Sequence, residues 1–160
     1  VSIEVEVRVV EPGEDAYAEE TWRLKEEIRR EGNVLKQRRG FFLSAYRRSK
    51  AYLCVAGGEV IAFAVARRDG YILFLGVAPD HRGEGLAKGL IGRVADDYGT
   101  VTCHARGSNE DALGFYRHIG FEEVRHVTNY YEDGGDAYYL RLDGGDGARL
   151  IERIADFFRR

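Results

Sequence analysis

Methionine is absent from the 160 residues, while proline and cysteine appear twice each and tryptophan once. Cys54 and Cys103 lie far apart without metal or redox spacing, so they read as reduced thiols rather than a disulfide framework. No apolar run approaches the roughly 18 residues that span a bilayer, and the N-terminal segment lacks a signal-peptide core. The chain opens on Val1 rather than Met, which predicts an initiator removed or trimmed away. Excess charge is missing too. Twenty-four basic against 27 acidic residues leave −3, which argues against a protein that coats nucleic acid. Lysine is scarce, four residues against 20 arginines, a ratio that reads as compositional habit. These absences predict a cytoplasmic protein with neither membrane nor nucleic acid as partner.

What is present is ordinary globular material, 44% hydrophobic and 32% charged, in a length that suits one domain. Val1, Ile3, Val5, Val7 and Val9 alternate as a half-buried strand does. Asp15 is placed to cap a helix with Tyr17, Thr21, Leu24 and Ile28 on one face, stopping at Gly32. A second short helix is expected within 36–50, around Phe41, Phe42, Leu43 and Tyr46. Gly57-Gly58 joins two β-rich runs as a hairpin, and the apolar run 71–77 reads as a central strand. A helix from about Gly85 to Tyr98 follows. Strand 100–104, helix 109–118 and strands 121–131 and 136–142 complete an α/β domain over 1–143. Residues 144–160 are expected to form a C-terminal helix, packed on its own core or on a dimer partner, since Leu150, Ile151, Ile154, Phe157 and Phe158 share a face.

Chemistry concentrates in Val77-Ala78-Pro79-Asp80-His81-Arg82-Gly83-Glu84-Gly85-Leu86-Ala87-Lys88. A buried strand, a glycine turn and a helix start follow one another there. Free N–H groups at a helix start, with the helix dipole behind them, hold anions. Gly83 and Gly85 let a phosphate approach the backbone, and Arg82 and Lys88 add charge. The spacing fits neither a Walker loop nor the dinucleotide fingerprint. Alone, such a turn is structural as often as functional.

Arg82-Gly83-Glu84-Gly85-Leu86-Ala87 resembles the pyrophosphate loop of the GNAT superfamily of acyl-CoA-dependent N-acetyltransferases. Asn109-Glu110-Asp111-Ala112-Leu113-Gly114-Phe115-Tyr116, followed by Gly120-Phe121, is similar to that family's Asn-x-x-Ala-x-x-x-Tyr…Gly-Phe segment. The resemblance implies a mixed, mostly antiparallel sheet of about seven strands, flanked by helices and splayed near Gly76-Val77. Acetyl-CoA would be the co-substrate, with no metal. Its pantetheine would lie against Val77, Ala78 and Asn109, its pyrophosphate on residues 82–87 with Lys88 nearby, and its thioester near Tyr116. Asn129-Tyr130-Tyr131-Glu132-Asp133-Gly134-Gly135-Asp136-Ala137 resembles the hairpin of the protein N-terminal acetyltransferases, including the ribosomal-protein enzymes. Tyr71-Ile72-Leu73-Phe74-Leu75-Gly76 is similar to the strand of the branch that pairs a tyrosine with a histidine. Residues 31–50, expected to line the acceptor with Phe41 and Phe42, match no subclass.

Acetyl transfer needs a neutral amine, a polarised carbonyl and a proton for the departing thiolate. An α-amino group titrates near ~7.7–8.0 and a lysine near ~10.4, so a base of ordinary imidazole strength suffices for the former. The resemblance therefore implies His104, supported by Tyr71, as base and Tyr116 as acid, with Tyr130 and Tyr131 lining the peptide groove. The Val77 amide would meet the oxyanion. The acceptor is a protein N-terminus, or alternatively a small amine or lysine. A non-catalytic acyl-CoA sensor is the third reading, and the protein is a monomer or homodimer. Plainer readings stand beside these. A strand histidine and a helix tyrosine are often packing, and His81, His118 and His126 lack partners by spacing. Arg106 and Arg125 read as solvent-facing or ion-paired. Residues 36–50 carry six basic side chains and no acid, either a solvated face or a surface that meets an acidic acceptor or the CoA phosphates.

Overall fold

The computed structural model describes residues 4–31 and 36–143. Among these, β1 (Val5–Val10), α1 (Ala18–Arg30), α2 (Arg39–Arg48), β2 (Lys50–Ala56) and β3 (Glu59–Ala66) come first. There follow β4 (Ile72–Val77), α3 (Leu86–Tyr98), β5 (Val101–Arg106), α4 (Glu110–Ile119), β6 (Glu122–Val127) and β7 (Ala137–Leu142). Gly57 and Gly58, at φ 57° and 80°, close β2 onto β3 in a turn whose twist matches the strands it joins.

The strands form two antiparallel blocks, β1-β2-β3-β4 and β5-β7-β6. They touch at one parallel bridge, Tyr71 to Thr102, where the Thr102 N–H donates to the Gly70 carbonyl at 3.1 Å. Past that bridge β4 and β5 pair with other strands only, which is the splayed sheet of seven strands that the resemblance implied.

Each face carries its own core. Helices α1 and α2 cover Leu53, Val55, Phe63, Val65 and Phe74. Helices α3 and α4 cover Cys54, Ala62, Ile72, Cys103 and Leu140. Strands β2 and β3 are buried on both sides, which explains their unbroken apolar runs. The strand expected at the centre, β4, is the fourth of the seven and borders the splay. Its register against β3 slips between Ile72 and Phe74, leaving Leu73 unpaired. The bulge turns Ile72 toward the α3 core but both Leu73 and Phe74 toward the α1–α2 core. Gly76 then passes where α1 crosses, and a Cβ there would meet Ile28 and Phe63 at 2.8 Å.

Other expectations shift. Tyr17, at φ 63°, caps α1 in place of Asp15, whose carbonyl accepts from the Ala18 N–H. Helix α1 ends at Arg30, and Gly32 lies outside the described residues, as do the first three positions and the C-terminal segment 144–160. Val9 is exposed and Val10 buried, so the alternation of β1 holds only through its first half. The strand expected through residue 131 stops at Val127, because Asn129 takes a left-handed φ of 54° and turns the chain.

Candidate active site

Strand β5 alternates, so Cys103 enters the α3–α4 core while His104 emerges on the opposite face. There His104 Nδ1 lies 2.7 Å from the Tyr71 hydroxyl, across the one bridge that joins the two sheet blocks. Tyr130 stacks on the imidazole, centroids 4.3 Å apart at 12°, and Tyr139, opposite His104 in the β5–β7 register, packs at 5.0 Å. Guanidinium groups back this cage. Arg67 lies 4.4 Å from the Tyr71 ring and Arg125 lies 4.9 Å from Tyr139. Burial first, then Arg125 and Arg67, lower the His104 pKa from its ordinary value. The imidazole is therefore neutral, and available as a base, at neutral pH. Burial, with Tyr130 beside it, raises the Tyr71 pKa, so this phenol keeps its proton.

Tyr130 and Tyr131 sit in the β6–β7 loop rather than in a strand. Both amides donate to the Gly135 carbonyl at 3.0 Å, and Asp133 receives the Gly135 N–H at 2.9 Å. Arg106 ties the loop to β5. It pairs with Asp133 at 2.9 Å and lies 4.2 Å from the Tyr131 ring, which meets Tyr130 edge-on at 4.9 Å. Asp136 sits against Gly107, where a Cβ would meet its carboxylate at 2.5 Å. The loop is thus held by a carboxylate, a guanidinium and a glycine.

The acceptor aromatics divide. Phe41 is 54% exposed and touches Phe74 edge-on at 6.4 Å. Phe42 is 0% exposed, packed among Trp22, Tyr46 and Phe74. Phe42 is core, because helical spacing turns it inward where its neighbour turns out; it presents no surface to a peptide as folded.

At the other end of β4 lies the glycine turn expected to cradle an anion. Gly83 and Gly85 both take φ 80° with open space where a Cβ would stand, and Gly85 caps α3 with no side chain on the free N–H groups. These are conditions under which phosphate oxygens can reach the backbone. Leu86 itself is buried, so its share in such a cradle is its amide, while Ala87 and Lys88 are half-buried. Arg82 pairs with Glu31 at 3.1 Å, and Glu84 with His81 at 3.0 Å. Ala78 N–H donates to Ile61, and successive amides in a strand face opposite edges, so the Val77 N–H points into the splay. Asn109 caps α4 through Oδ1, which accepts from Ala112 at 3.1 Å. Tyr116, deep in the α3–α4 core, lies against Cys103, and burial raises its pKa well above the ordinary phenol value. Burial also pushes both cysteines to about 12, which makes them unreactive thiols. Among the described residues no cluster of His, Cys, Asp and Glu is placed to hold a metal ion.

Residues 11–121 match the family model described as Acetyltransferase (GNAT) family. The chain belongs to that family. Among curated relatives, the N-alpha-acetyltransferase RimI of Mycobacterium tuberculosis is 33% identical over 101 residues, covering 57% of this chain and 64% of that protein. The match thus spans just under two thirds of that relative. Among solved structures, the ribosomal-protein-S18-alanine N-acetyltransferase from Escherichia coli superimposes with a TM-score of 0.72 at 21% identity, over 87% of this chain and 93% of that one. Arabidopsis thaliana Naa50 in complex with the bisubstrate analogue CoA-Ac-MVNAL gives 0.66 at 21%, over 86% and 98%. At such identities the structures establish the GNAT fold.

The structure brings Tyr71, His104 and Tyr130 together, and sets Tyr116, expected beside Tyr71 and His104, in the opposite core against Cys103. Sequence reasoning missed Tyr139 and the placing of Arg67 and Arg125 on the tyrosine rings, whereas Arg106 is ion-paired as expected. Only the β5–β7 register, which no local pattern displays, places Tyr139 and His104 together. His81 and His126 also have partners, Glu84 and Asp136, contrary to expectation. No described helix is long and apolar enough to cross a membrane.

Proposed function

We propose that this GNAT protein transfers an acetyl group from acetyl-CoA to the α-amino group of a protein N-terminus, by direct attack within a ternary complex. The observation that carries the reading is the Tyr71–His104 pair, caged by Tyr130 and Tyr139, beside the single bridge from which the splay opens. Acetyl-CoA supplies the activated thioester. The residues suited to it are Gly83, Glu84, Gly85, Leu86, Ala87 and Lys88 at its phosphates, aided by Arg82, with Val77, Ala78 and Asn109 along its arm.

In this reading Nδ1–H of His104 donates to the Tyr71 oxygen, leaving Nε2 bare to take a proton from the amine, directly or through one water. The lowered His104 pKa suits an α-amine, a fraction of which is already neutral near pH 7. The Val77 N–H, facing the splay, stabilises the charge that develops on the carbonyl oxygen. Tyr116, with its raised pKa, holds a proton at every working pH and gives it to the departing thiolate. Tyr130, Tyr131 and Phe41 line the approach of the acceptor. The named relatives and the peptide-bearing analogue of the plant structure support a peptide acceptor.

A panel of peptides with free or blocked N-termini, with and without lysine, together with polyamines, tests the reading by mass spectrometry. Acetylation confined to free N-termini is expected. Transfer to lysine or polyamine alone moves the acceptor to the second class, and tight acetyl-CoA binding without turnover on any amine makes the protein a sensor.

A further inference from the structure

Between α2 and the turn from β3 to β4 lies an open cleft of about 460 Å³, of a size that holds peptide side chains. Phe41 and Ala45 of α2 and Leu73 of β4 form its apolar floor, and Arg48, Arg67 and Arg68 its rim. The bulge in β4 turns Leu73 to this face, and the exposed Phe41 ring stands against Phe74 beneath it. Its charge is lopsided. Asp69 is the one acid in the lining and is engaged by Arg67 at 2.8 and 3.3 Å. Arg48 makes only a neutral contact, to Ser44, and Arg68 has no ion-pair partner among the described residues.

The cleft adjoins the dyad. Arg67 lies on the Tyr71 ring at 4.4 Å, and the hydroxyl of that ring contacts His104 at 2.7 Å. One aromatic side chain therefore separates the proposed reacting amine from a basic, apolar-floored groove. The CoA phosphates are not its anion. Their cradle follows the far end of β4, and the six residues from Ile72 to Val77 place it about 20 Å away at ~3.3 Å per residue. Two other cations of the basic segment are already engaged: Arg39 pairs with Glu19, and Lys50 with Asp97 at 2.7 Å.

We infer that this cleft binds acidic side chains of the acceptor chain just downstream of its N-terminal residue, with Arg48 and Arg68 setting a preference for acidic N-terminal segments. The inference rests on the N-terminal reading of the active site. An exposed ion pair contributes at most a factor of about five, so two acidic residues raise kcat/KM by roughly three- to twentyfold at low salt. The gain lies in KM and shrinks as salt screens it.

The experiment uses peptides that share their first two residues and continue with acidic, neutral or basic residues. Rates are measured at low and high salt with wild type and with the double variant Arg48→Glu, Arg68→Glu. A preference for acidic peptides that the double variant inverts is expected. Acetylation at rates indifferent to downstream charge, or a preference the double variant leaves intact, overturns the inference while leaving the N-terminal reading standing. Anisotropy of the same peptides, labelled at their C-termini and titrated with protein and CoA, reads the cleft without turnover. Equal binding of acidic and basic peptides overturns it there too. Failure to acetylate any free N-terminus instead overturns the functional reading.

Discussion

His104 sits among three tyrosine rings, and two of those rings carry an arginine. Cations at that distance act on the imidazole as well as on the rings, and both act in the direction of burial, against its protonation. The acidic limb of kcat/KM assigned to His104 is therefore expected below the ordinary imidazole pKa. Arg125→Gln removes one opposing charge, so the limb moves to higher pH; a profile that stays in place or moves down contradicts the tuning. Tyr116→Phe keeps the ring packed against Phe121 and Cys103 but removes the proton. Rate loss of about a hundredfold, with acetyl-CoA affinity preserved, is expected from stopped-flow and calorimetry. Much of this centre was legible in the residues. His104 stands in a strand that alternates, and Tyr71, just before β4, was singled out by the resemblance, whereas the arginines on the ring faces depend on cross-strand neighbours far apart in sequence.

The elements were legible where glycine or alternation marks them, and less so where a long-range contact decides. Gly57-Gly58, Gly83 and Gly85 announced their turns because their backbone conformations favour glycine. Phe41 and Phe42 could not be told apart before α2 had a direction of packing. Tyr130 and Tyr131, aromatic and β-prone, read as strand, but the Gly135 carbonyl and Arg106 recruit them into a loop. At the start of α3 the consequence is testable. Gly85→Glu forces a left-handed side chain, a strain of about 1 kcal/mol, and sets a carboxylate where an anion would bind. Acetyl-CoA binding by calorimetry is expected to disappear while circular dichroism stays native. Retained affinity would place the cofactor elsewhere.

Across the whole molecule, two cores share one sheet, and Gly76 is where the α1 side closes on β4. Gly76→Ala drives a methyl group into Ile28 and the fully buried Phe63 at 2.8 Å. A loss of about 1–3 kcal/mol in urea unfolding is expected, since the Phe63 ring is fully buried. The joint between the two sheet blocks matters in another way. Most of the ladder is shared among several pairs, yet the hydrogen bond from Thr102 to Gly70 stands at the only bridge between the blocks among the described residues. Its amide proton is thus a built-in gauge of how often the halves part. Exchange at Thr102 should outpace exchange at Cys54 in the middle of β2, and occupancy of the splay by acetyl-CoA should slow it, because a ligand touching both lips must be released before they can breathe.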